Sequence, residues 1–320
     1  MSQLSTYELA DNTTFETIPC PMCGSDHAAL LLEGPDLLHA GDEQFRLVTC
    51  QHCGHIYQNP RPTVAAIDRY YPENYIPFQH AIEDEPHWWR RWERRYGQYR
   101  RAAAVHRAAG KAGRVLDVGC ATGIFLDGMH RTGWEVQGVE PSASAARYAQ
   151  ERLGLPVFCG RLDEAAFPNA SFDAVTLWDV LEHVHDPPAV LREIRRVLRP
   201  GGLLVMSLPN PDSLEARLLG QHWLGWDLPR HLNLFRPPLL RIHLEKLGIP
   251  VDSIRSFTAG YSVLLMSLEQ RWREQGHDAD TIMRVLRSWP MRLLTKPYYA
   301  GPANWFNLSS IMVVFARRGE

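Results

Sequence analysis

Two pairs of cysteines share one form, Cys20-Pro-Met-Cys23-Gly24 and Cys50-Gln-His-Cys53-Gly54. Each sets two thiolates on a tight turn with a glycine just behind. The 26 residues between Cys23 and Cys50 are enough for a short hairpin that brings the pairs together. Four soft sulfur ligands suit a tetrahedral Zn²⁺ of the closed, structural kind, so the four are read as metal ligands with no catalytic part. A redox-active dithiol would need only one pair. His27, His52 and His55 lie close by and read as surface or packing residues rather than ligands. The metal would hold together a segment too small to fold on its own core.

The stretch Val115-Leu-Asp-Val-Gly-Cys-Ala-Thr-Gly-Ile124 reads as a buried strand turning sharply into a helix. Glycine at 119 permits φ > 0 and lets a ligand approach the backbone. A helix N-terminus behind it favours a carboxylate or phosphate. The next strand, Glu135-Val-Gln-Gly-Val-Glu140, ends on an acid that can accept two hydrogen bonds from ribose hydroxyls. Such an acid suits NAD as well. The glycine spacing discriminates: a dinucleotide fingerprint needs Gly-x-Gly-x-x-Gly, whereas residue 121 is Ala and the pattern is Asp117-x-Gly119-x-x-x-Gly123.

A third constellation is Asp179-Val-Leu-Glu182-His183, followed farther on by Trp226-Asp-Leu-Pro-Arg-His231-Leu-Asn-Leu-Phe235. In a helical turn positions i, i+3 and i+4 share a face, so two acids and a histidine can converge. Histidine titrates near neutrality and suits general-base work.

The elements that position these groups alternate. Strands are expected at 114–119, 135–140, 156–159, 172–178 and 202–208, with helices at 123–132, 142–153 and 187–198. That alternation implies an α/β fold with a parallel sheet covered on both faces. Asp186-Pro187 reads as a helix N-cap with proline at N1. Ligands in such sheets sit outside the carboxyl ends of the strands, so Asp117–Gly123, Glu140 and Trp178–Asp179 should face one cleft.

Five successive segments resemble the motifs of class I S-adenosylmethionine-dependent methyltransferases: Leu116–Gly123, Gly138–Ser142, Ser171–Leu177, Leu181–Val184 and Leu198–Gly202. The resemblance implies a Rossmann-like seven-stranded sheet whose last strand, here Ile311–Arg317, is inserted antiparallel beside the fifth. It implies that Asp117, Gly119, Cys120 and Gly123 surround the methionine part of S-adenosylmethionine, and that Glu140 and Pro141 lie at the ribose. Adenine would lie near Gly160–Asp163, with Leu162 and Asp163 as contacts, and Trp178 and Asp179 would close the site. Many members carry an acid where Arg161 stands, which leaves the adenine to backbone contacts from Leu162. With its four-cysteine ribbon the layout resembles sugar C-methyltransferases. Its Asp179, Glu182 and His183 are similar to the Glu-x-x-Glu-His cluster of ubiquinone-pathway O-methyltransferases.

Three readings of the third constellation remain. His231 or His183 is a general base; or Asp179, Glu182, His183 and His231 hold a second divalent metal that acidifies an acceptor hydroxyl; or Glu182 and His183 only brace the loop.

Residues 1–60 are thus expected to form a zinc ribbon, 61–112 a helical bridge, and 113–320 the methyltransferase domain with a helical substrate cap at about 209–308. In the bridge a helix is expected at the start of Val64–Tyr75. A longer one should follow Pro86, with Trp88, Trp92, Tyr96, Tyr99, Ala103 and His106 on one face, packed on the main domain. Its arginines, Arg90 to Arg101, are solvated, clamp a phosphate-bearing acceptor, or lie on a membrane surface. The cap mixes aromatics with arginines, suiting a sugar, aromatic or lipid-linked small-molecule acceptor. A net charge of −2 gives no general argument for nucleic acid, which leaves a cofactor-sensing nucleic-acid binder as the minor alternative. Met1-Ser-Gln-Leu-Ser-Thr shows no secretory signal, so a cytoplasmic protein is expected.

Overall fold

The computed structural model describes residues 14–37, 42–71, 86–257 and 260–320. In chain order the strands are β1 (Phe15–Glu16), β2 (Ala28–Pro35), β3 (Gln44–Cys50), β4 (Ile56–Gln58), β5 (Arg61–Pro62), β6 (Arg114–Val118), β7 (Glu135–Glu140) and β8 (Val157–Cys159). They continue as β9 (Phe172–Trp178), β10 (Leu198–Pro209), β11 (Asn233–Leu234), β12 (Val251–Arg255) and β13 (Ile311–Arg317). The helices are α1 (Trp88–Ala109), α2 (Ile124–Arg131), α3 (Ala143–Leu153), α4 (Pro187–Val197), α5 (Leu214–Leu219) and α6 (Pro237–Lys246). After them come α7 (Gly260–Glu274), α8 (Ala279–Leu286), α9 (Trp289–Ala300) and α10 (Pro302–Trp305).

The main sheet has seven strands in the order β12-β13-β10-β9-β6-β7-β8. β8, β7, β6, β9 and β10 are parallel, and β13 runs antiparallel between β10 and β12. This is the expected sheet with the expected inserted last strand. The parallel strands read as near-continuous apolar runs because both faces are covered. Leu116, Val175, Leu177, Leu204, Met206 and Val314 pack on one side. Val115, Ala174, Val205 and Val313 pack on the other with Phe125, Met129 and Trp134. Helix α4 starts as expected: the Asp186 carboxylate accepts the Ala189 N–H at 2.9 Å and Pro187 follows.

Three expectations shift. The strand expected at 202–208 extends back to Leu198, which pairs with Phe172 before the register jumps to Leu203 opposite Ala174. Arg199-Pro-Gly-Gly202 is therefore a bulge inside β10. In α1 the buried residues are Ala102 and Val105, whereas Trp88, Trp92, Tyr96 and Tyr99 are exposed and Trp92 stacks on Tyr96. The helix packs by small residues that let it lie close to the sheet. The short helix expected from Val64 is a single 3₁₀ turn, Ile67–Tyr70; its continuation to Tyr75 lies outside the described residues, as do residues 1–13.

The N-terminal hairpin β2–β3 carries β4 on its edge, and β4 pairs in turn with β11. The ribbon sheet is thus completed by residues from the far side of the sequence. His55, fully buried, shares a 3.1 Å hydrogen bond with the Asn233 side-chain oxygen, and Asn233 Nδ2 donates to the Val184 carbonyl at 2.8 Å. Asn233→Ala removes both, leaving a buried imidazole and a carbonyl without partners. A loss of about 1–3 kcal/mol is expected, read as a lower denaturant midpoint; an unchanged midpoint would show that this joint carries no stability.

Candidate methyltransferase active site

The carboxyl ends of β6, β7 and β9 lie side by side, with Val118 level with Val139 and Leu177. Asp117 and Glu140 are both buried there. Thr176 Oγ1 donates to Asp117 Oδ1 at 2.6 Å. Glu140 accepts the Ala121 N–H on Oε2 and the Ser142 N–H on Oε1, each at 2.8 Å. Each carboxylate oxygen then keeps a lone pair for a further donor. Burial pushes Asp117 up to about 7, against the pull of Thr176 and Arg101. Burial also raises Glu140, against the two backbone N–H groups. Two acids so placed fit a ligand that brings cationic groups and a pair of hydroxyls.

The loop between them is tight. Gly119 (φ 70°), Ala121 (φ 47°) and Gly123 (φ 77°) all have left-handed backbones, and the Gly119 and Cys120 N–H groups donate to the Val139 carbonyl. The missing side chains make room for protein. A Cβ on Gly119 would stand 2.6 Å from Val180, and one on Gly123 would stand 2.9 Å from Ala149 Cβ. Cys120 is buried beneath the loop and Pro141 is exposed. Leu162 is buried after β8, while Asp163 is exposed and paired with Arg161 at 3.3 Å.

At the end of β9, Trp178 is buried against Phe125, with the Arg101 guanidinium 4.7 Å from its ring centre. Asp179 adopts φ 59°; its Oδ1 accepts from Ser207 at 2.7 Å and its Oδ2 meets Arg101 at 3.3 Å. Its carboxylate is committed to these partners. The structure brings together Glu182, His183 and His231, which each offer a ligand atom within 4.8 Å of the others. The two rings lie 4.7 Å apart, edge to face.

The protonation of this trio follows from its neighbours. His183 Nδ1 is 3.0 Å from the Arg230 carbonyl and 2.9 Å from Tyr71 Oη; His231 Nδ1 is 2.9 Å from the Gly225 carbonyl. A carbonyl only accepts, so each Nδ1 carries the proton and each lone pair falls on Nε2. Burial lowers His183 to about 3, with the nearby His231 adding to the effect, and burial also lowers His231. Both rings are neutral at neutral pH. Glu182 is buried and neither of its oxygens has a hydrogen-bond partner among the described residues. Burial holds it well above the usual carboxylate range, helped by the charge on Asp179. Two neutral imidazoles and a bare carboxyl thus stand together, a donor set that fits a divalent cation.

The four cysteines form the second such group. Their sulfurs lie within 4.8 Å of one another, with Cys20–Cys53 and Cys23–Cys50 each at 3.6 Å. Tetrahedral zinc with Zn–S near 2.3 Å sets sulfurs about 3.8 Å apart, so the cluster fits that ion.

Several site residues escaped the sequence reading. Thr176 lies inside a quoted motif but shows its role only across the β6–β9 pair. Asp227 and Arg230 stand in the Trp226–Phe235 stretch. The Arg230 guanidinium, with no exposed surface, donates to Asp227 Oδ1 at 2.6 Å and to both oxygens of Asp36 at 2.7 and 2.8 Å. Nothing in the sequence couples residues 194 apart.

A methyltransferase-domain profile matches residues 88–254, just over half of the chain. The chain belongs to the methyltransferase-domain family. A ubiquinone biosynthesis O-methyltransferase of Xanthomonas axonopodis pv. citri (strain 306) is 31% identical over 153 residues, 44% of this chain and 64% of the relative. The chain thus spans less than two thirds of that relative's length. A relative of the same description from Pseudomonas aeruginosa (strain LESB58) is 31% identical over 48% of this chain and 72% of its own. Among solved structures, phosphoethanolamine N-methyltransferase 2 of Haemonchus contortus, in complex with S-adenosyl-L-methionine, superposes with a TM-score of 0.52 at 17% identity. It covers 88% of this chain and 70% of its own. That likeness establishes the methyltransferase fold.

The raised Asp117 has a testable consequence. An acid whose pKa is about 7 folded and 3.8 unfolded binds its proton more tightly in the folded state. Its contribution to stability is full below pH 4 and is lost as pH rises through 7. The melting temperature of Asp117→Asn minus that of the wild-type methyltransferase should therefore rise between pH 4 and 7. A difference that is flat over this range would show that Asp117 titrates normally.

Proposed function

We propose that this chain transfers the methyl group of S-adenosylmethionine to a hydroxyl oxygen of a quinone-like or aromatic small molecule, with a divalent cation at Glu182, His183 and His231. The observation that supports this reading is the clustering of two neutral imidazoles with a buried carboxyl that meets no donor among the described residues. The described relatives are named as O-methyltransferases, which agrees with it.

S-adenosylmethionine, when bound, supplies an electrophilic methyl, and a divalent cation, when bound, lowers the pKa of an acceptor hydroxyl. The chain does the rest. Glu140 offers its two remaining lone pairs to the ribose hydroxyls. Asp117 offers a carboxylate that a cationic ligand draws into its charged form. The loop at 119–123 sets the cofactor's methionine end beside Trp178. The carbonyls of Gly225 and Arg230 hold both rings in the tautomer that leaves Nε2 free. The cysteine cluster holds a structural Zn²⁺ that fixes the hairpin. Residues 61–112 bridge the ribbon to the catalytic domain, and the cap at about 209–308 covers the acceptor.

A second reading rests on Asp227, whose Oδ2 is 3.7 Å from His231 Nε2. A carboxylate there stabilises an imidazolium, so His231 can take the acceptor proton itself, on oxygen or carbon, without a metal. A sugar acceptor, nucleotide-linked or lipid-linked, suits this route.

Metal content separates the two. The purified protein is expected to hold two divalent ions per chain, of which Glu182→Gln loses one and Cys50→Ser the other. One ion in both wild type and Glu182→Gln would end the metal reading and leave His231 as base. Calorimetry tests the cofactor directly: Glu140→Ala should weaken S-adenosylmethionine by roughly 10–100-fold, while His231→Ala should bind it normally and lose turnover. Wild-type affinity in Glu140→Ala would overturn the cofactor placement.

A further inference from the structure

The outer face of the helical cap has a composition that its packing does not explain. Between Thr281 and Gly319 the chain contains no Asp or Glu, although it carries 36 acids in 320 residues. The same segment holds Arg284, Arg287, Arg292 and Lys296. Helix α9 has Trp289, Leu293 and Leu294 within six positions, yet none of its twelve residues, all of them described, is buried. An amphipathic surface helix ordinarily turns its apolar stripe to the core. Here Trp289 is 72% exposed, and Leu293 and Leu294 are exposed beside it. Val285 on α8 and Trp305 and Phe306 at the end of α10 are exposed too, Phe306 to 70%. Helix α9 packs on both α8 and α10, so these side chains belong to one compact subdomain.

We infer that this face docks on the surface of a membrane containing anionic lipids. Tryptophan, phenylalanine and leucine on an exposed helical surface, interspersed with Arg and Lys, suit the boundary between head groups and acyl chains. The basic residues match the negative surface potential, and the missing acids remove the repulsion that an average surface segment would bring. The carboxylates that touch the cap helices are already engaged: Glu269 of α7 is paired with Arg273 and Arg287, Asp280 is paired with Arg273, and the buried Glu215 accepts from Tyr299 at 3.1 Å. Spanning is a different matter, since no helix among the described residues is long and apolar enough to cross a membrane. Docking here would place the acceptor side of the protein against the lipid, whichever acceptor and whichever catalytic route the cleft uses.

Vesicle flotation tests this. The 320-residue chain should float with phosphatidylglycerol-containing vesicles at low salt, bind phosphatidylcholine vesicles weakly, and release as ionic strength rises. Lys296→Gln should weaken partition by roughly fivefold, and Trp289→Ala with Leu294→Ala by tenfold or more, at an order-of-magnitude level. All three residues are exposed, so melting temperature and S-adenosylmethionine affinity should match wild type. Failure to float with anionic vesicles, or flotation unchanged in both variants, would overturn the inference. So would a concentration-dependent dimer in sedimentation that Trp289→Ala with Leu294→Ala abolishes, because the face would then be covered by a second copy of the chain.

Discussion

One buried guanidinium ties the N-terminal hairpin to the loop at 227–231. Arg230 is completely buried, and its fork spans Asp36 of the N-terminal hairpin, Asp227 of its own loop and the Tyr70 carbonyl. Arginine suits this task because its donors are planar, fixed in direction and always charged. A buried cation facing two carboxylates is tolerable only when nearly every donor is met, and here the partners come from three separate segments. Breaking such a pair from one side typically costs about 3–5 kcal/mol, because the charge left behind has no water to return to. The hairpin therefore cannot move independently of the loop at 227–231.

That constraint reaches the chemistry. The carbonyl of Arg230 is the acceptor that fixes the His183 tautomer, and His231 is the next residue. Leu232 N–H donates to the Glu182 carbonyl, and its own carbonyl accepts from Gln58 in the ribbon. Each member of the Glu182, His183 and His231 group is thus held by a backbone contact one residue from the ribbon or its clamp. The cysteine cluster lies outside the cleft, yet whatever holds its hairpin in shape also holds β4 against β11 and so sets the angle of the histidine loop. A metal held by the four cysteines would therefore be part of the site's rigidity rather than an appendage.

The sequence made one half of this arrangement legible and left the other half hidden. The α/β sheet could be read because each parallel strand is an uninterrupted apolar run with a turn signal behind it. Asp117 and Glu140 could be read because they end such runs at motif spacing. The cysteine pairs could be read because thiolates at that spacing have few other uses. Asp179 departs from its expected place because i, i+3, i+4 geometry assumes a helical turn. The chain instead passes through a left-handed residue into a 3₁₀ turn, and Ser207 and Arg101 take up the carboxylate. The face of α1 was misjudged for a related reason: periodicity shows which residues share a side, not which side meets the protein. Tyr71 at His183 and Asp36 at Arg230 could not be read at all, because they depend on contacts between loops far apart in the sequence.

This division has a physical basis. The cofactor side is assembled from adjacent strand ends, where local sequence determines both the position and the chemistry of each group. The histidine cluster instead depends on long-range contacts among the N-terminal hairpin, the loop at 223–235 and α7–α10. Substitutions in α7–α10 can change that half without disturbing a single strand pairing in the main sheet. The loop that carries His231 is nevertheless constrained, because Arg230, Asn233 and Leu234 tie it to the ribbon on one side while Trp223 ties it to Ser310 beside β13 on the other. Freedom to vary is left mainly to α7–α10, whose contacts are fewer and whose outer face is open. It follows that the histidine cluster is the rigid part of this half and, on the proposed reading of the site, that differences in what is methylated should lie in α7–α10.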